Sequence, residues 1–400
     1  MAIGGVALMR VGVDAACWSN KRGYGRFTRG LLNALVESNT KHELVFFVDA
    51  QTAGDGDLPT NVTTVVVNTG DRPTAAASAS DSRSIKDLLA MTKAVAGESL
   101  DAFFFPSVYT YFPAITRGKI ILGVHDVIAE DYPDLVFPDK KHRSLWALKG
   151  WLAHKQANYI MTVSEHAKKG IMRHFGHDQN RVYVIDEAPD PVFTTLKPDQ
   201  VDRSILSRFG LSVDSRFLIY IGGINPHKNL PMLVQSLAEI RSKPGMQDVK
   251  LVIVGDLKDG FTPGVSELKA KIAELNQGDA VIFTGFVQDE DVIHLLNVAQ
   301  ALVLPSMAEG FGLPAVEGAA CGIPIIATQN SPLPDLLQDG GIFIDPNSVS
   351  QLTDALNVML SDTSRRDQMA RAATAKAQQL TWQRSAAQLD SMLNEVASKS

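Results

Sequence analysis

Two glutamates, Glu309 and Glu317, flank a glycine-rich turn in the segment PSMAEGFGLPAVEGAACGIP. Gly310 and Gly312 permit a tight turn and a close approach of the backbone to a ligand. A proline then suits the first turn of a helix, whose N–H groups and dipole favour an anion. The segment therefore predicts an anion site beside two carboxylates. The alternative is an ordinary strand-to-helix connection, in which Glu317 complements the helix dipole and Glu309 is a solvated loop acid.

A lysine, Lys228, follows another strand-like run in the segment YIGGINPHKNLPMLVQSL. It lies between a Gly-Gly turn and a helix, where a compact positive charge can reach a diphosphate. The segment contains no G-x-x-x-x-G-K-[ST] pattern, so it is not a P-loop. The alternative is a solvated lysine at the start of a helix.

The N-terminal half places further polar or glycine-rich groups after strand-like runs. Gly23 and Gly25 lie in a predicted loop before a helix, without the G-x-G-x-x-G pattern of dinucleotide sites. This loop is either a flexible turn or a backbone wall that faces a phosphate or an acceptor. His125 follows the run ILGV. A lone histidine is usually structural, but the predicted end of a strand favours a polar ligand contact.

The elements that must position these residues form a long alternating series. Apolar, β-rich runs alternate with segments of helical period, such as Phe27, Leu31, Ala34, Leu35 and Leu230, Leu233, Leu237, Ile240. Repeated β-α units predict an α/β protein with doubly wound parallel sheets of the Rossmann type, whose strands are buried on both faces. Ligands of such sheets bind at the carboxyl ends of the strands.

The length of the chain and a proline-rich break in the β-α series predict more than one domain. A chain of 400 residues exceeds one typical core, and the segment APDPVFTTLKPDQVDRS interrupts the β-α series. We predict an N-terminal domain over residues 1–193, a second domain over 194–380 and a C-terminal helix over 381–400.

The composition excludes several classes of protein. The net charge of −6 argues against a nucleic-acid binder. The two cysteines, Cys17 and Cys321, do not resemble a disulfide framework, which favours a reducing cytoplasm. No apolar run approaches the length of a membrane-spanning helix. Met9 would make a natural start, so residues 1–8 are interpreted as an extension.

Motifs for metal binding and hydrolysis are absent from the sequence. No His or Cys spacing suggests zinc, and the DGD at 55–57 lies in a glycine-rich loop rather than at the end of a strand. No metal site is therefore predicted. The sequence also lacks the G-x-S-x-G elbow of a hydrolase.

Residues 139–155, DKKHRSLWALKGWLAHK, carry five Lys or Arg against one Asp, a net charge of +4. Leu145, Leu148 and Leu152 form an apolar stripe, and two tryptophans are interleaved with it. Such a helix could rest on an anionic membrane. The alternative is a packed helix with a solvated basic face, and it is favoured because apolar stripes usually face a core.

Together these motifs resemble the retaining family-4 glycosyltransferases of the GT-B fold, essentially from end to end. The matching segments are VGVDAACWSNKRGYGRF, VHDVIAEDYP, TVSEHAKKGI, GGINPHKNL, EGFGLPAVE (the E-x₇-E signature), GIPIIAT and TWQRSAAQLDSML. The resemblance implies that the two domains face a cleft, with the acceptor on the N-terminal side and the nucleotide sugar on the other. It also implies that the C-terminal helix crosses back onto the N-terminal domain.

The resemblance gives each matching residue an expected role. Glu317 would bind the ribose hydroxyls of the donor, Glu309 would lie beside the transferred sugar, and Lys228 would neutralise the diphosphate. Further contacts to the donor or the cleft are implied for Gly25, His125, Ser164, Gly223, His227, Gly310, Phe311 and Gly312. Many members place an arginine shortly before the lysine. Here Gly222 and Gly223 occupy that region, so His227 is a candidate to share the charge of the phosphates.

The implied activity is a retaining, metal-independent glycosyl transfer that needs no cofactor, because the nucleotide sugar is a substrate. The donor is expected to be a nucleotide sugar, with GDP-mannose favoured over a UDP-sugar, and the acceptor a glycan or a lipid-linked saccharide. A nucleotide-sugar epimerase of the same fold and a non-catalytic sugar-binding protein are the alternatives. The expected location is the cytoplasm, with a peripheral contact at the inner face of the membrane through residues 139–155.

Overall fold

A computed structural model of the protein describes residues 8–20, 23–55, 57–70, 84–256 and 262–399. The extension proposed from the sequence, except for its last residue, lies outside these ranges. The chain separates into two compact units, one of Met1–Glu187 with Thr381–Ser400 and one of Ala188–Leu380. The boundary predicted from the sequence lies a few residues later, at 193.

The first unit is built on a parallel sheet whose seven strands are ordered β3-β2-β1-β4-β5-β6-β7 in its described residues. The strands are β1 (Arg10–Asp14), β2 (Glu43–Asp49), β3 (Thr63–Val67), β4 (Ala102–Phe105), β5 (Lys119–Gly123), β6 (Tyr159–Thr162) and β7 (Val182–Val184). The helices are α1 (Gly23–Glu37), α2 (Ala50–Gly54), α3 (Ile85–Ala96), α4 (Ile128–Asp131), α5 (Pro133–Val136), α6 (Lys140–Gln156) and α7 (Glu165–Phe175). The central strands are rich in aromatic and β-branched residues and are buried, as a sheet covered by helices on both faces requires.

The second unit repeats this plan with six parallel strands in the order β10-β9-β8-β11-β12-β13, again counted over its described residues. The strands are β8 (Phe217–Ile221), β9 (Lys250–Val254), β10 (Val281–Gly285), β11 (Ala301–Leu304), β12 (Ile325–Thr328) and β13 (Gly341–Ile344). The helices are α8 (Arg203–Arg208), α9 (Leu230–Arg241), α10 (Thr262–Glu274), α11 (Asp289–Leu296), α12 (Leu313–Ala320), α13 (Leu333–Leu337), α14 (Val349–Ser361) and α15 (Thr363–Ala377).

These two doubly wound parallel sheets confirm the predicted fold class. The helical stripes predicted from the sequence on α1 and α9 are buried. The prediction that strands are buried on both faces is wrong for β3, where Thr63 and Thr64 are exposed and Val66 is 50% exposed. Most residues of β10 and β13 are only half-buried. These three strands lie at the edges of their sheets, where less of each strand is covered.

The C-terminal helix α16 (Trp382–Ser398) returns to the first unit, as predicted, and packs against α1. Leu389, Met392 and Leu393 of α16 are buried. Trp382 lies edge-on to Phe27, with 6.1 Å between ring centroids. A Cβ atom on Gly30 would come within 2.4 Å of the Trp382 ring, so the glycine allows the two helices to approach.

We expect Gly30→Ala to lower the free energy of unfolding of the first unit. Overpacking typically costs about 1–3 kcal/mol, which exceeds the gain of about 1 kcal/mol in helix propensity. Urea denaturation followed by circular dichroism measures the change. The matched control is Gly150→Ala in α6, where an added Cβ meets nothing within 4 Å. This control should be neutral or stabilising, and equal stability of the two variants would contradict the packing described for α1 and α16.

Candidate functional site

Lys228 and Glu309 form an ion pair at one end of the second sheet. Strands β8 and β11 are adjacent and parallel, so the loops that follow them leave from the same edge. Lys228 Nζ donates to Glu309 Oε1 at 2.8 Å, although 81 positions separate the two residues. The sequence predicts a donor site that contains both residues, but it does not predict that they bind each other.

The carboxylate of Glu309 is buried and held from two sides. The residue is 8% exposed, and Ser306 Oγ donates to the same oxygen at 2.5 Å. Burial alone would raise the pKa of Glu309, but the charge and hydrogen bond of Lys228 outweigh it and hold the pKa below its ordinary value of 4.5. Glu309 is therefore an ionised, fixed carboxylate, and the interpretation as a solvated loop acid is wrong.

Asn229 and the backbone around it join the two loops that carry this pair. Asn229 has a φ of +56°, a conformation that asparagine adopts more readily than most residues. Its Nδ2 donates to Pro305 O at 3.2 Å and to Pro346 O at 2.8 Å. The backbone N–H of Met307 donates to His227 O at 2.8 Å. These contacts fix Lys228 relative to Glu309 within the unit.

Sequence reasoning missed two of the residues that build this geometry, Asn229 and Ser306. A signal was available for each of them. Asn229 directly follows the lysine in the segment HKNL, and Ser306 comes just after a strand whose end was predicted to face a ligand.

The glycine turn after Glu309 leads directly into α12, as predicted. Gly312 has a φ of +90°, and a Cβ there would come within 2.8 Å of Leu333 Cδ1, so only glycine fits. Phe311 is 4% exposed and Gly310 is buried. A proline, Pro314, occupies the first turn of the helix. The first N–H groups of a helix lack intrahelical acceptors, which makes this turn suitable for an anion.

Glu317 lies on α12 and is 2% exposed. Burying a carboxylate is costly unless it is paired or hydrogen-bonded, so its depth indicates a specific polar role rather than a solvated acid. The structure thus brings Glu317, Glu309, the glycine turn and Lys228 onto neighbouring elements of one unit. The ribose contact assigned to Glu317 stays a prediction.

His227 and Gly223 lie on the loop that follows β8. His227 Nδ1 is buried and has no hydrogen-bond partner. Burial, followed by the neighbouring charge of Lys228, lowers the pKa of His227 to about 3. At neutral pH this side chain can therefore offer a phosphate a hydrogen bond but not a positive charge. Gly223 is exposed, and its carbonyl oxygen accepts from Tyr220 at 2.7 Å.

His125, in the first unit, is held by two acceptors. Its Nε2 lies 2.9 Å from Pro106 O, and its Nδ1 lies 3.3 Å from Glu187 Oε1. Burial alone would lower the pKa of His125, but Glu187 outweighs it and the pKa lies above the ordinary 6.5. Because both ring nitrogens face acceptors, the charged imidazolium fits best. A contact from either nitrogen to a sugar would displace one of these partners, so this role stays a prediction. The sequence analysis did not single out Glu187, which follows β7.

Gly25 and Ser164 also occupy defined positions in the first unit. Gly25 belongs to the first turn of α1, not to a loop as predicted, and a Cβ there would come within 2.0 Å of Asn20 O. The helix begins at Gly23, two residues before Gly25, and Asn20 O lies against its first turn. Ser164 caps α7 by accepting from Ala167 N at 3.0 Å. Their predicted contacts with substrates stay predictions.

Helix α6 contradicts the expectation that its leucine stripe faces the core. Leu145 is 53% exposed and Leu148 is 55% exposed, and Leu152 is exposed as well. The buried side of the helix is instead formed by Trp146, Gly150 and Ala153. Trp146 Nε1 donates to Glu130 Oε1 at 2.8 Å, and this contact together with the two small residues directs the packed face away from the leucines.

Membrane-spanning helices and clusters of metal ligands are both absent from the part of the chain that the structure describes. No helix there is long and apolar enough to cross a membrane. No three His, Cys, Asp or Glu side chains come together there as metal ligands. Gly56, within the DGD segment, lies outside the described ranges. Metal independence stays a prediction.

The architecture defines the class of protein. The solved structure of sucrose-phosphate synthase from Thermosynechococcus elongatus superimposes with a TM-score of 0.76 at 16% identity, over 98% of this chain and 100% of that chain. The family model "Glycosyl transferases group 1" matches residues 202–376, and the model "Glycosyltransferase Family 4" matches residues 21–191. The two matches together span most of the chain, which belongs to the family-4 glycosyltransferases of the GT-B fold.

Curated relatives match a smaller part of the chain. The O-antigen chain mannosyltransferase B of Escherichia coli is 27% identical over 228 residues, which cover 57% of this chain and 58% of the relative. The D-inositol 3-phosphate glycosyltransferase of Acidothermus cellulolyticus is 30% identical over 213 residues, which cover 52% of this chain and 46% of the relative. The chain thus spans about half the length of the curated relatives it matches.

Proposed function

We propose that the protein transfers a sugar from a nucleotide-sugar donor to a glycan or lipid-linked saccharide acceptor, with retention of the anomeric configuration. The observation that carries this proposal is the ion pair of the half-buried Lys228 with the buried Glu309 beside the start of α12. It supplies a cation, a fixed carboxylate and backbone N–H groups at the carboxyl ends of adjacent strands. This is where a doubly wound sheet binds its ligand.

The proposed chemistry needs groups that stabilise a leaving diphosphate. As the bond between C1 of the sugar and the phosphate oxygen breaks, negative charge grows on that oxygen. Lys228 and the N–H groups at the start of α12 are the fixed positive and donor groups for it. The acceptor oxygen forms its bond to C1 on the same face of the sugar, and its proton passes to the leaving phosphate. This route requires neither a metal ion nor an enzyme nucleophile.

Binding of the donor diphosphate to Lys228 would have to break its ion pair with Glu309. Lys228 Nζ is bound to Glu309 Oε1 at 2.8 Å. We propose that the diphosphate competes for the lysine, so that the carboxylate of Glu309 is left to accept hydrogen bonds from the sugar hydroxyls. Ser306 keeps that carboxylate in place during the exchange.

For the donor we propose GDP-mannose, with a UDP-sugar as the alternative. Support comes from the similarity to the Escherichia coli relative, whose name states mannose transfer to an O-antigen chain. The same relative supports a glycan as the acceptor. Neither proposal depends on the site geometry, because the residues described so far are proposed to contact phosphate, ribose and hydroxyl groups that all these donors share.

The test is a panel of GDP- and UDP-sugars incubated with the protein, with and without glycan acceptors, while free nucleoside diphosphate is assayed in the presence and absence of a metal chelator. We expect diphosphate release that depends on the acceptor and survives chelation. Conversion of the donor into an isomeric nucleotide sugar without acceptor and without net release of diphosphate would favour the epimerase, and binding without turnover would favour a sugar-binding protein. Either result would contradict the proposed transfer.

We also propose that α6 contacts the anionic inner leaflet of a membrane from a cytoplasmic location. Its exposed leucines lie among lysines and an arginine, and Trp151 is 61% exposed on the same helix. Apolar and basic residues on one exposed helix suit the interface of a charged bilayer.

Replacing the exposed leucines should remove this contact. We expect Leu145→Glu with Leu148→Glu to lower co-sedimentation with anionic vesicles at least tenfold, because two charges would enter the apolar contact. The matched control is Leu89→Glu, at a leucine of α3 that is 63% exposed in the same unit. Equal co-sedimentation of the double variant and the control would reject a membrane contact through α6.

A further inference from the structure

A pocket of about 570 Å³ lies beside α6 in the first unit. Its walls come from α4, α5, α6 and the end of α7, and none of the residues assigned to the transfer reaction lines it. The volume falls in the range of sites for small ligands. The pocket is therefore a candidate for a second binding function.

Aromatic rings form much of the wall. Trp146 and Trp151 come from α6, and Phe137 and Phe175 from neighbouring segments. The imidazole of His154 stacks on Phe175, with 3.6 Å between ring centroids. These surfaces suit the carbon skeleton of a ligand and leave its polar groups to a few side chains.

The polar groups of the pocket are mainly hydrogen-bond donors and cations. His154 Nδ1 and His177 Nε2 lie 2.7 Å apart, so one donates to the other. When both rings are neutral, such a pair presents one outward N–H whichever tautomer it adopts. The cations Arg143 and Lys155 lie at opposite ends of α6 and are exposed. Together these groups favour an anionic ligand.

The acids near the pocket are already engaged. Glu130 Oε1 accepts from the indole of Trp146 at 2.8 Å. Asp131 accepts from Arg173 at 2.6 Å and lies 2.7 Å from His174 Nε2. Arg173 therefore offsets the charge of Asp131. The neutral indole only hydrogen-bonds Glu130, so the cations of the pocket must outweigh this one carboxylate.

The pocket continues into the exposed surface of α6. Arg143, Trp151 and Lys155 line the pocket and are also exposed on the helix that carries Leu145 and Leu148. A ligand with an anionic head and apolar chains would satisfy both surfaces at once. A second copy of this chain would not, because two α6 helices, each with a net charge of +5, would repel each other.

We infer that this pocket binds the phosphate-bearing headgroup of an anionic membrane lipid, whose chains lie along the exposed leucines of α6. The inference rests on the membrane contact proposed above and is independent of the transfer reaction. The pocket would then select the headgroup, while the leucine face would supply the general affinity for the bilayer.

The variant Gly150→Leu changes the pocket and leaves the leucines of α6 unchanged, so it tests the pocket alone. Gly150 lines the pocket within α6, and an added Cβ meets nothing within 4 Å, so a larger side chain fills the cavity without a clash at its first carbon. Lys155→Glu is a second variant that changes only an exposed side chain and reverses its charge. Circular dichroism verifies that both variants are folded.

The probe is dihexanoyl-phosphatidylglycerol below its micelle concentration, titrated calorimetrically into the full chain. We expect saturable binding to the wild type and weaker binding to the variant with Leu145→Glu and Leu148→Glu, because its new charges lie where the lipid chains would run. We expect at least a tenfold loss of affinity in Gly150→Leu and Lys155→Glu. Dihexanoyl-phosphatidylcholine and glycerol 3-phosphate should bind at least tenfold more weakly to the wild type.

Wild-type affinity in folded Gly150→Leu and Lys155→Glu would overturn the pocket assignment. Equal binding of glycerol 3-phosphate and the lipid would show that a free phosphate ester, not a lipid, is the ligand. Wild-type affinity in the leucine variant would overturn the placement of the lipid chains along α6.

Discussion

Lys228→Ala is expected to lower kcat/KM for sugar transfer by about a thousandfold, or about 4 kcal/mol of transition-state stabilisation. The lysine is the cation that the structure places at the start of α9 beside the glycine turn of α12. Its Nζ is held by Glu309 beside that turn, so little reorganisation is needed to meet the developing charge. Initial rates over a range of donor concentrations measure the loss.

The matched control for this prediction is Lys271→Ala. Lys271 pairs with Glu274 at 2.9 Å in the same unit, where the glutamate side chain is 63% exposed. Breaking an exposed pair should leave transfer unchanged and cost at most about 1 kcal/mol of stability. Lys228→Arg keeps the charge and should retain more activity than Lys228→Ala. Near-wild-type rates in folded Lys228→Ala would reject the phosphate role of this residue.

Glu309→Gln is expected to lower transfer by about a hundredfold, or about 2.7 kcal/mol. Glutamine keeps the size of the side chain and an oxygen for Ser306, but it loses the charge that pairs with Lys228 and that we propose supports the reacting sugar. Glu309→Ala should lose more, because it also removes the hydrogen-bond acceptor. The comparison needs kcat and KM separately, because a contact made in the transition state alone should lower kcat and leave KM unchanged. A change confined to KM would contradict a role beside the reacting centre.

The pH dependence of stability gives an independent check on the same residue. The pKa of Glu309 is lower in the folded protein than its ordinary value of 4.5. The ionised carboxylate therefore stabilises the fold at any pH above 4.5, and this contribution disappears as the pH falls through the folded pKa. The stability difference between wild type and Glu309→Gln should accordingly be constant near neutrality and change only in acid. Urea denaturation at several pH values measures it.

The fold could be predicted in detail because its signals are local. Alternating apolar runs and helical stripes such as Leu230, Leu233 and Leu237 are set by short-range spacing, and burial in the structure follows them. The exceptions at β3, β10 and β13 arise because their places at the edges depend on the order of strands, which no short segment specifies.

The candidate site could be predicted as a set of residues but not as a network. The rule that ligands bind after strands places Lys228 and Glu309 at strand ends. Their ion pair depends on β8 and β11 being neighbours, and Asn229 and Ser306 act through contacts that only this adjacency creates. The neutral state of His227 likewise follows from its burial, which the sequence does not report.

Helix α6 shows how an amphipathic pattern can mislead. Its leucines have the spacing of a core-facing stripe, yet the face with Gly150 and Ala153 is the one that packs. Small residues permit close approach of neighbouring elements, so the packed face here is set by side-chain size and by the contact of Trp146 with Glu130. The pocket beside this helix combines four segments and had no local signal in the sequence.

The central claim is that the loop of Lys228 and the turn before α12 bind the diphosphate of the donor. The most direct measurement is the affinity of GDP and GMP for the wild type and for Lys228→Ala, by calorimetric titration. The wild type should prefer GDP at least tenfold, as a charge-assisted contact of about 1.5–3 kcal/mol to the second phosphate requires. Lys228→Ala should lose that preference while Lys271→Ala keeps it. An equal preference for GDP in the wild type and Lys228→Ala would contradict the account.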